Sequence, residues 1–241
     1  MWKQTSSAVT AARSRYGWRW ILILIGGLAW VSIGCSPQTL SVFLMPFTDN
    51  NTPPEYKLFA ADKEITLAVV TNFARPEIHP DLQAADAELA ELVAQAFRKR
   101  CTDNKHKIKI VPIAQVRSQE LRQRELAGGE LSGVEIGKNL KADFVLELTI
   151  NSVSLYEKNT YPPMYRGKTD IAVNLYKVDV KDGEHKVFAR EYPRIFPAGS
   201  GPIDANSMSP TMFRRGFLMK VANDVAKMFI AYPPDESHQL E

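Results

Sequence analysis

Cysteine is nearly absent: the 241 residues hold two. That excludes a small disulfide scaffold. Acid is missing altogether from residues 1–34, which carry Lys3, Arg13, Arg15 and Arg19. The formal net charge of +3 therefore belongs to the N-terminus, and without those four the chain holds 26 basic residues against 27 acidic ones. No basic field remains to concentrate nucleic acid. Histidine is scarce too. His79, His106, His185 and His238 stand neither three to five residues apart nor beside a cysteine, so local zinc spacing is lacking. A composition that is 45% hydrophobic and 24% charged is that of a globular protein, and collagen-like, low-complexity and disordered classes are excluded.

Charge is also missing from Trp20 to Thr48. A basic start, the apolar run Trp20–Val31 and small residues near its end make a secretory signal. Ser32-Ile33-Gly34-Cys35 resembles a bacterial lipobox, with Ser32 where leucine is usual. The resemblance implies that residues 1–34 are removed and that Cys35 carries a lipid. Ser36 resembles the outer-membrane sorting choice. An uncleaved inner-membrane anchor is the other reading, since a span needs only about 20 residues. Both readings place a membrane-tethered domain on the side away from the cytoplasm. Residues 35–62 then read as a lipidated tether, 63–232 as one domain and 233–241 as a disordered tail. Cys101 reads as a small buried apolar residue at a helix end.

The expected class is α/β (α+β): a mixed sheet ending in an antiparallel meander, with helices packed on one face. Ile65–Val70 is apolar on both faces, as in an interior strand. Asp81–Arg100 repeats apolar residues at three- and four-residue steps and closes on Arg98-Lys99-Arg100, which suits the helix dipole better than nucleic acid. Lys107–Val111 is a second strand, and a polar helix follows over Ile113–Leu126. Ser132 caps a short helix through Leu140. Asp143–Ile150, Lys168–Val180 and His185–Ile195 predict the meander, with a turn at Lys181-Asp182-Gly183-Glu184. Ser209-Pro210 starts the last helix, whose stripe is Phe213, Phe217, Val221, Val225 and Phe229.

Catalytic signals are thin. Gly133–Asn139 imitates a phosphate loop, but Ser132 stands where its first glycine belongs and Asn139 replaces the hydroxyl residue. Its glycine reads instead as permission for close helix packing. Ala198-Gly199-Ser200-Gly201-Pro202 lacks the strand–elbow–helix setting of a hydrolase serine. Asp143, Glu147 and Asp170 are scattered carboxylates. No catalytic residue, metal or small-molecule cofactor is indicated. The segment Tyr156–Arg166 offers more. It joins two strands and carries Tyr156, Tyr161, Tyr165 and Arg166, types favoured at interfaces, with Pro162-Pro163 to stiffen it. These four are the candidate partner-binding residues. The competing reading has the tyrosines covering a sheet edge.

The stretches ITLAVVTNF, IKIVPIAQV and VEIGKNLKADFVLELTI, with Leu140-Lys141-Ala142-Asp143 leading into a strand, resemble a family of envelope domains. It comprises curli-secretion-channel lipoproteins, the amino-terminal domain of the Tol–Pal translocation protein and penicillin-binding-protein-activator lipoproteins. The resemblance covers residues 63–231. It implies a sandwich that binds other envelope proteins. The expected function is a non-enzymatic protein-binding or assembly module, held at the membrane by lipid and facing the periplasm. A secretion-apparatus subunit that oligomerises is the alternative, and a periplasmic hydrolase the third. Residues 151–168 are too short and too polar for membrane-spanning hairpins.

Overall fold

The computed structural model describes residues 51–59, 63–75, 79–127, 132–180 and 185–234. The leader, Cys35, the first part of the tether, the 181–184 turn and the tail from residue 235 lie outside them. Among the described residues no helix is long and apolar enough to cross a membrane.

Among the described residues six strands make one sheet: β1 (Ile65–Phe73), β2 (Ile108–Ile110), β3 (Phe144–Tyr156), β4 (Met164–Lys177), β5 (Lys186–Phe196) and β6 (Ile203–Asp204). The order is β2-β1-β3-β4-β5, with β6 paired to β4. β1 runs parallel to both neighbours; β3, β4 and β5 are antiparallel. The helices are α1 (Ala85–Asp103), α2 (Ile113–Ala127), α3 (Gly133–Leu140) and α4 (Pro210–Lys227).

The class is the expected mixed α/β fold, and the meander forms. The placement of the helices on one face is corrected. The chain steps from β1 to β2 through α1, then back across β1 to β3 through α2 and α3. Two crossovers of the same hand in opposite directions put their helices on opposite faces of the sheet. Ile65, Leu67 and Val69 accordingly face the core shared with α1 and α4, through Leu89, Val93, Phe97, Phe217 and Val221. Ala68 and Val70 join a smaller core with Val116, Ile136 and Val145. The two-faced apolarity of β1 is the sequence trace of this arrangement.

Local signals set the element ends. The Ser209 side chain accepts the Met212 N–H at 3.3 Å and Pro210 opens α4. The Ser132 side chain accepts from Glu135 N at 3.5 Å, and α3 stops at Lys141 in the left-handed region, φ 52°. α1 begins later than its periodicity suggests. Pro80–Leu82 is a separate 3-10 turn, whose leading His79 ring accepts the Asp81 N–H at 3.3 Å.

Residues 51–59, expected in the tether, belong to the domain. Thr52 N–H reaches Tyr232 O at 2.7 Å, Tyr56 N–H reaches Met228 O at 2.9 Å, and Leu58 and Phe59 are buried in the main core. Their apolar side chains find that core, which is why the boundary at residue 63 is too late.

Candidate functional site

The β3–β4 hairpin protrudes where α4 begins. Its base is an aromatic ladder. Tyr165 stacks on Phe213 with centroids 4.6 Å apart, Tyr156 lies 5.3 Å from Tyr165, and Phe196 lies 5.7 Å from Phe213. The Tyr165 hydroxyl donates to Met208 O at 3.3 Å. The Tyr156 hydroxyl donates to Asp81 Oδ2 at 3.0 Å. Burial first, and then the Asp81 carboxylate, push the Tyr156 pKa up to about 12. Arg214 completes the clamp, donating to the Asp81 carbonyl and, from Nε, to Glu88 Oε2 at 2.8 Å.

Glu157 sits between Lys168 Nζ at 2.8 Å and Arg166 Nη1 at 3.3 Å. Lys168 chiefly holds the Glu157 pKa below its ordinary value. The turn closes through Glu157 N–H to Met164 O at 2.9 Å and Thr160 Oγ1 to Glu157 O at 3.2 Å. Behind it β6 pairs Met164 with Asp204 and Tyr165 with Ile203, and Ala205 N–H meets Pro163 O at 3.2 Å. The hairpin is therefore braced on both sides.

The four residues chosen from sequence do not share a surface. Tyr161 is 99% exposed, between the exposed Asn159 and Pro163. Tyr165 is buried, so the surface expectation is corrected for it: its ring is a core contact of α4. Tyr156 is half-buried and tied to Asp81. Arg166 is half-buried and committed to Glu157. Two of the tyrosines thus follow the covering role: Tyr165 falls on the buried alternation of β4, and Tyr156, the last residue of β3, packs beside it. Tyr161, Pro162 and Pro163 remain as a presented surface.

The other sequence candidates disperse. Asp143 Oδ2 accepts the Thr66 N–H at 2.8 Å, while Glu147 Oε2 accepts from Tyr176 OH at 3.1 Å and Asn174 at 3.4 Å. A Cβ on Gly137 would come within 2.5 Å of Val178 and 2.6 Å of Val145, so that glycine serves close packing of α3 on the sheet. Among the described residues no group of three His, Cys, Asp or Glu side chains is placed to hold a metal ion.

Sequence reasoning missed two polar assemblies, for neither has a local motif. One is a buried knot around Asp224, which takes the Tyr192 hydroxyl at 2.6 Å and faces Arg194 Nε at 3.4 Å and Lys220 Nζ at 3.6 Å. Tyr192 and Arg194 come from β5 and Lys220 and Asp224 from α4, at least 26 residues further along the chain. The other is a recess at the carboxyl end of β1.

No family model and no curated protein matches this chain. Solved structures do. The PelC dodecamer from Paraburkholderia phytofirmans is 13% identical, covering 75% of this chain and 96% of that one, with a TM-score of 0.41. Lipoprotein GNA1162 from Neisseria meningitidis is 9% identical, covering 67% and 98%, at 0.37. The LpoB C-terminal domain from Salmonella enterica is 14% identical, covering 58% and 87%, at 0.33. At these scores the likeness speaks neither for nor against any activity. The more specific resemblance to curli-secretion channels and the Tol–Pal protein is not carried by these matches.

Proposed function

We propose that the protein is a lipid-anchored envelope module that works by binding another envelope protein, without catalysis. The observation that carries this reading is the exposure of Tyr161 on a braced hairpin, at the end of the domain remote from chain entry. The chain enters at Thr52, bridged to Tyr232 beyond the C-terminus of α4. The hairpin packs at the N-terminus of α4, through Tyr165 on Phe213. The 18 residues of α4 separate the two by about 27 Å. A chain fastened at Cys35 gives the domain at most about 55 Å of reach before Asn51. The tyrosine tip lies at the end of α4 opposite Thr52, clear of the point where the anchored segment joins the domain. An exposed aromatic ring held on a stiff turn loses little conformational freedom on binding, which favours it as an anchor.

Tyr161→Ala removes no core contact. It is expected to leave the melting temperature within about 1 °C of the parent while in-cell crosslinking recovers the partner at least fivefold less. Undiminished recovery of the same partner would overturn the hairpin as the docking element.

A further inference from the structure

The recess at the carboxyl end of β1 is built differently from the hairpin and shares no residue with it. In a parallel sheet alternate residues of a strand bond to alternate neighbours. Thr66 O takes the Asp143 N–H at 2.8 Å and Ala74 N–H reaches Ile150 O at 3.0 Å, so the even positions of β1 serve β3. Ile65 N–H reaches Lys107 O at 3.2 Å and Leu67 O takes the Val111 N–H at 2.9 Å, so the odd positions serve β2. β2 ends at Ile110, opposite Leu67. Among the described residues no strand runs beside Val69, Thr71 and Phe73 on that side. Their main-chain groups on that side pair with no strand; Val69 and Thr71 are buried, and Thr71 and Phe73 line the cavity that begins there.

The cavity, of about 510 Å³, is walled by Thr71–Phe73 and Arg75, by Asp86 of α1, and by Arg117, Glu120 and Leu121 of α2. The place has a topological reason. The loop after β1 leads to α1 on one face, the loop after β2 leads to α2 on the other, and a crevice opens where they part. Such crevices are where open α/β sheets bind ligands. The volume is within the ~300–1,000 Å³ of ligand sites.

The polar groups define what fits. Asn72 Oδ1 is buried and has no hydrogen-bond partner, a costly state that an incoming N–H relieves. Asp86 is paired with Arg117 Nη2 at 2.8 Å, and Glu120, on the same wall, has an interaction of its own, so the two acids stand against the two guanidinium groups of Arg75 and Arg117. Arg75 is exposed and has no ion-pair partner among the described residues. Arg117, with a side chain 42% exposed, keeps donors beyond the one given to Asp86. Phe73 and Leu121, the latter 60% exposed, supply apolar walls. An acceptor for an N–H, guanidinium donors for a carboxylate, apolar walls and an unpaired side of a strand together match one chemical object.

We propose that this recess binds the carboxyl-terminal residues of an extended peptide. The peptide backbone adds to the unpaired side of β1 at Thr71 and Phe73. One of its N–H groups donates to Asn72 Oδ1, and its terminal carboxylate meets Arg75 and Arg117. Strand addition gives affinity that depends little on sequence, and the charged end fixes the register. The site requires neither the anchor nor the hairpin contact.

The test uses the full detergent-extracted chain and two pools of N-acetyl tetrapeptides, identical except that one ends in free carboxylates and the other in carboxamides. The acid pool is expected to bind, and the amide pool to bind at least tenfold more weakly. Arg75→Gln and Asn72→Ala should each weaken the acid pool at least tenfold with an unchanged melting temperature, and Tyr161→Ala should leave it unaltered. Equal binding of the two pools, or no binding of the acid pool at millimolar concentration, would overturn the proposal. N-acetyl-leucine binding as tightly as the tetrapeptides would overturn its peptide part, since the edge of β1 would then contribute nothing.

Discussion

The Cys101 thiol is 1% exposed, and burial pushes its pKa up to about 12. The thiolate is the reactive form, so this sulfur is protected twice, by burial and by protonation. Iodoacetamide at pH 8 should leave Cys101 unmodified in the folded protein and alkylate it after denaturation. Intact mass then reports one adduct if Cys35 is blocked by a thioether and two if it is free, so a single experiment reads both cysteines. Tyrosine offers a second probe. Burial pushes Tyr156 and Tyr176 up to about 12 and Tyr192 further still, each with a carboxylate neighbour acting in the same direction: Asp81, Glu147 and Asp224. A pKa raised above its unfolded value of ~10 means stability that is complete below pH 10 and lost as pH rises through 12. Ultraviolet titration should show these rings ionising together with unfolding near pH 12. Full ionisation of all tyrosines at pH 10.5 with the fold intact would contradict this.

Among the elements, α3 is seated closely on the sheet. The Gly137 site faces Val145 and Val178 with no room for a methyl group. Gly137→Ala should lower stability by about 1–3 kcal/mol despite alanine's better helix propensity, measurable as a lower urea midpoint with an unchanged slope. Elements were the most legible part of the sequence, because their signals are local. The Ser209-Pro210 start, the Ser132 cap and the alternation of Phe144, Leu146, Leu148 and Ile150 each act within a few residues, and each appears in the structure. Strand β3 runs on to Tyr156 because β4 pairs with it there, a partner whose register the alternation alone does not show. The hairpin was legible as a loop bearing tyrosines. Which of them face solvent depends on the β4 register and on Phe213, 48 residues beyond Tyr165 in the chain, so Tyr165 was misplaced.

At the scale of the whole molecule the sequence said less. Class followed from the order of elements, but strand order, the split of helices between two faces and the recess beside β1 depend on crossovers that no short motif records. The domain boundary failed for the same reason. Residues 51–59 look like a tether until α4 is in place to receive Tyr56, Leu58 and Phe59, with the Tyr56 ring 6.4 Å from Phe229. A chain begun at Asn51 should therefore melt as the longer one does. A chain begun at Lys63 should lose at least ~3 kcal/mol, the cost of emptying large apolar sites in a core. Thermal unfolding of the two truncations checks this, and equal midpoints would return residues 51–59 to the tether.

The backbone bridge between Thr52 and Tyr232 has a further consequence. With its two boundaries side by side, the domain is a self-contained cassette that can be spliced into a surface loop of a host protein without being stretched. By the same geometry, the boundaries can be sewn together and the chain reopened at the exposed Gly199–Gly201 loop, yielding a permuted version with the same core.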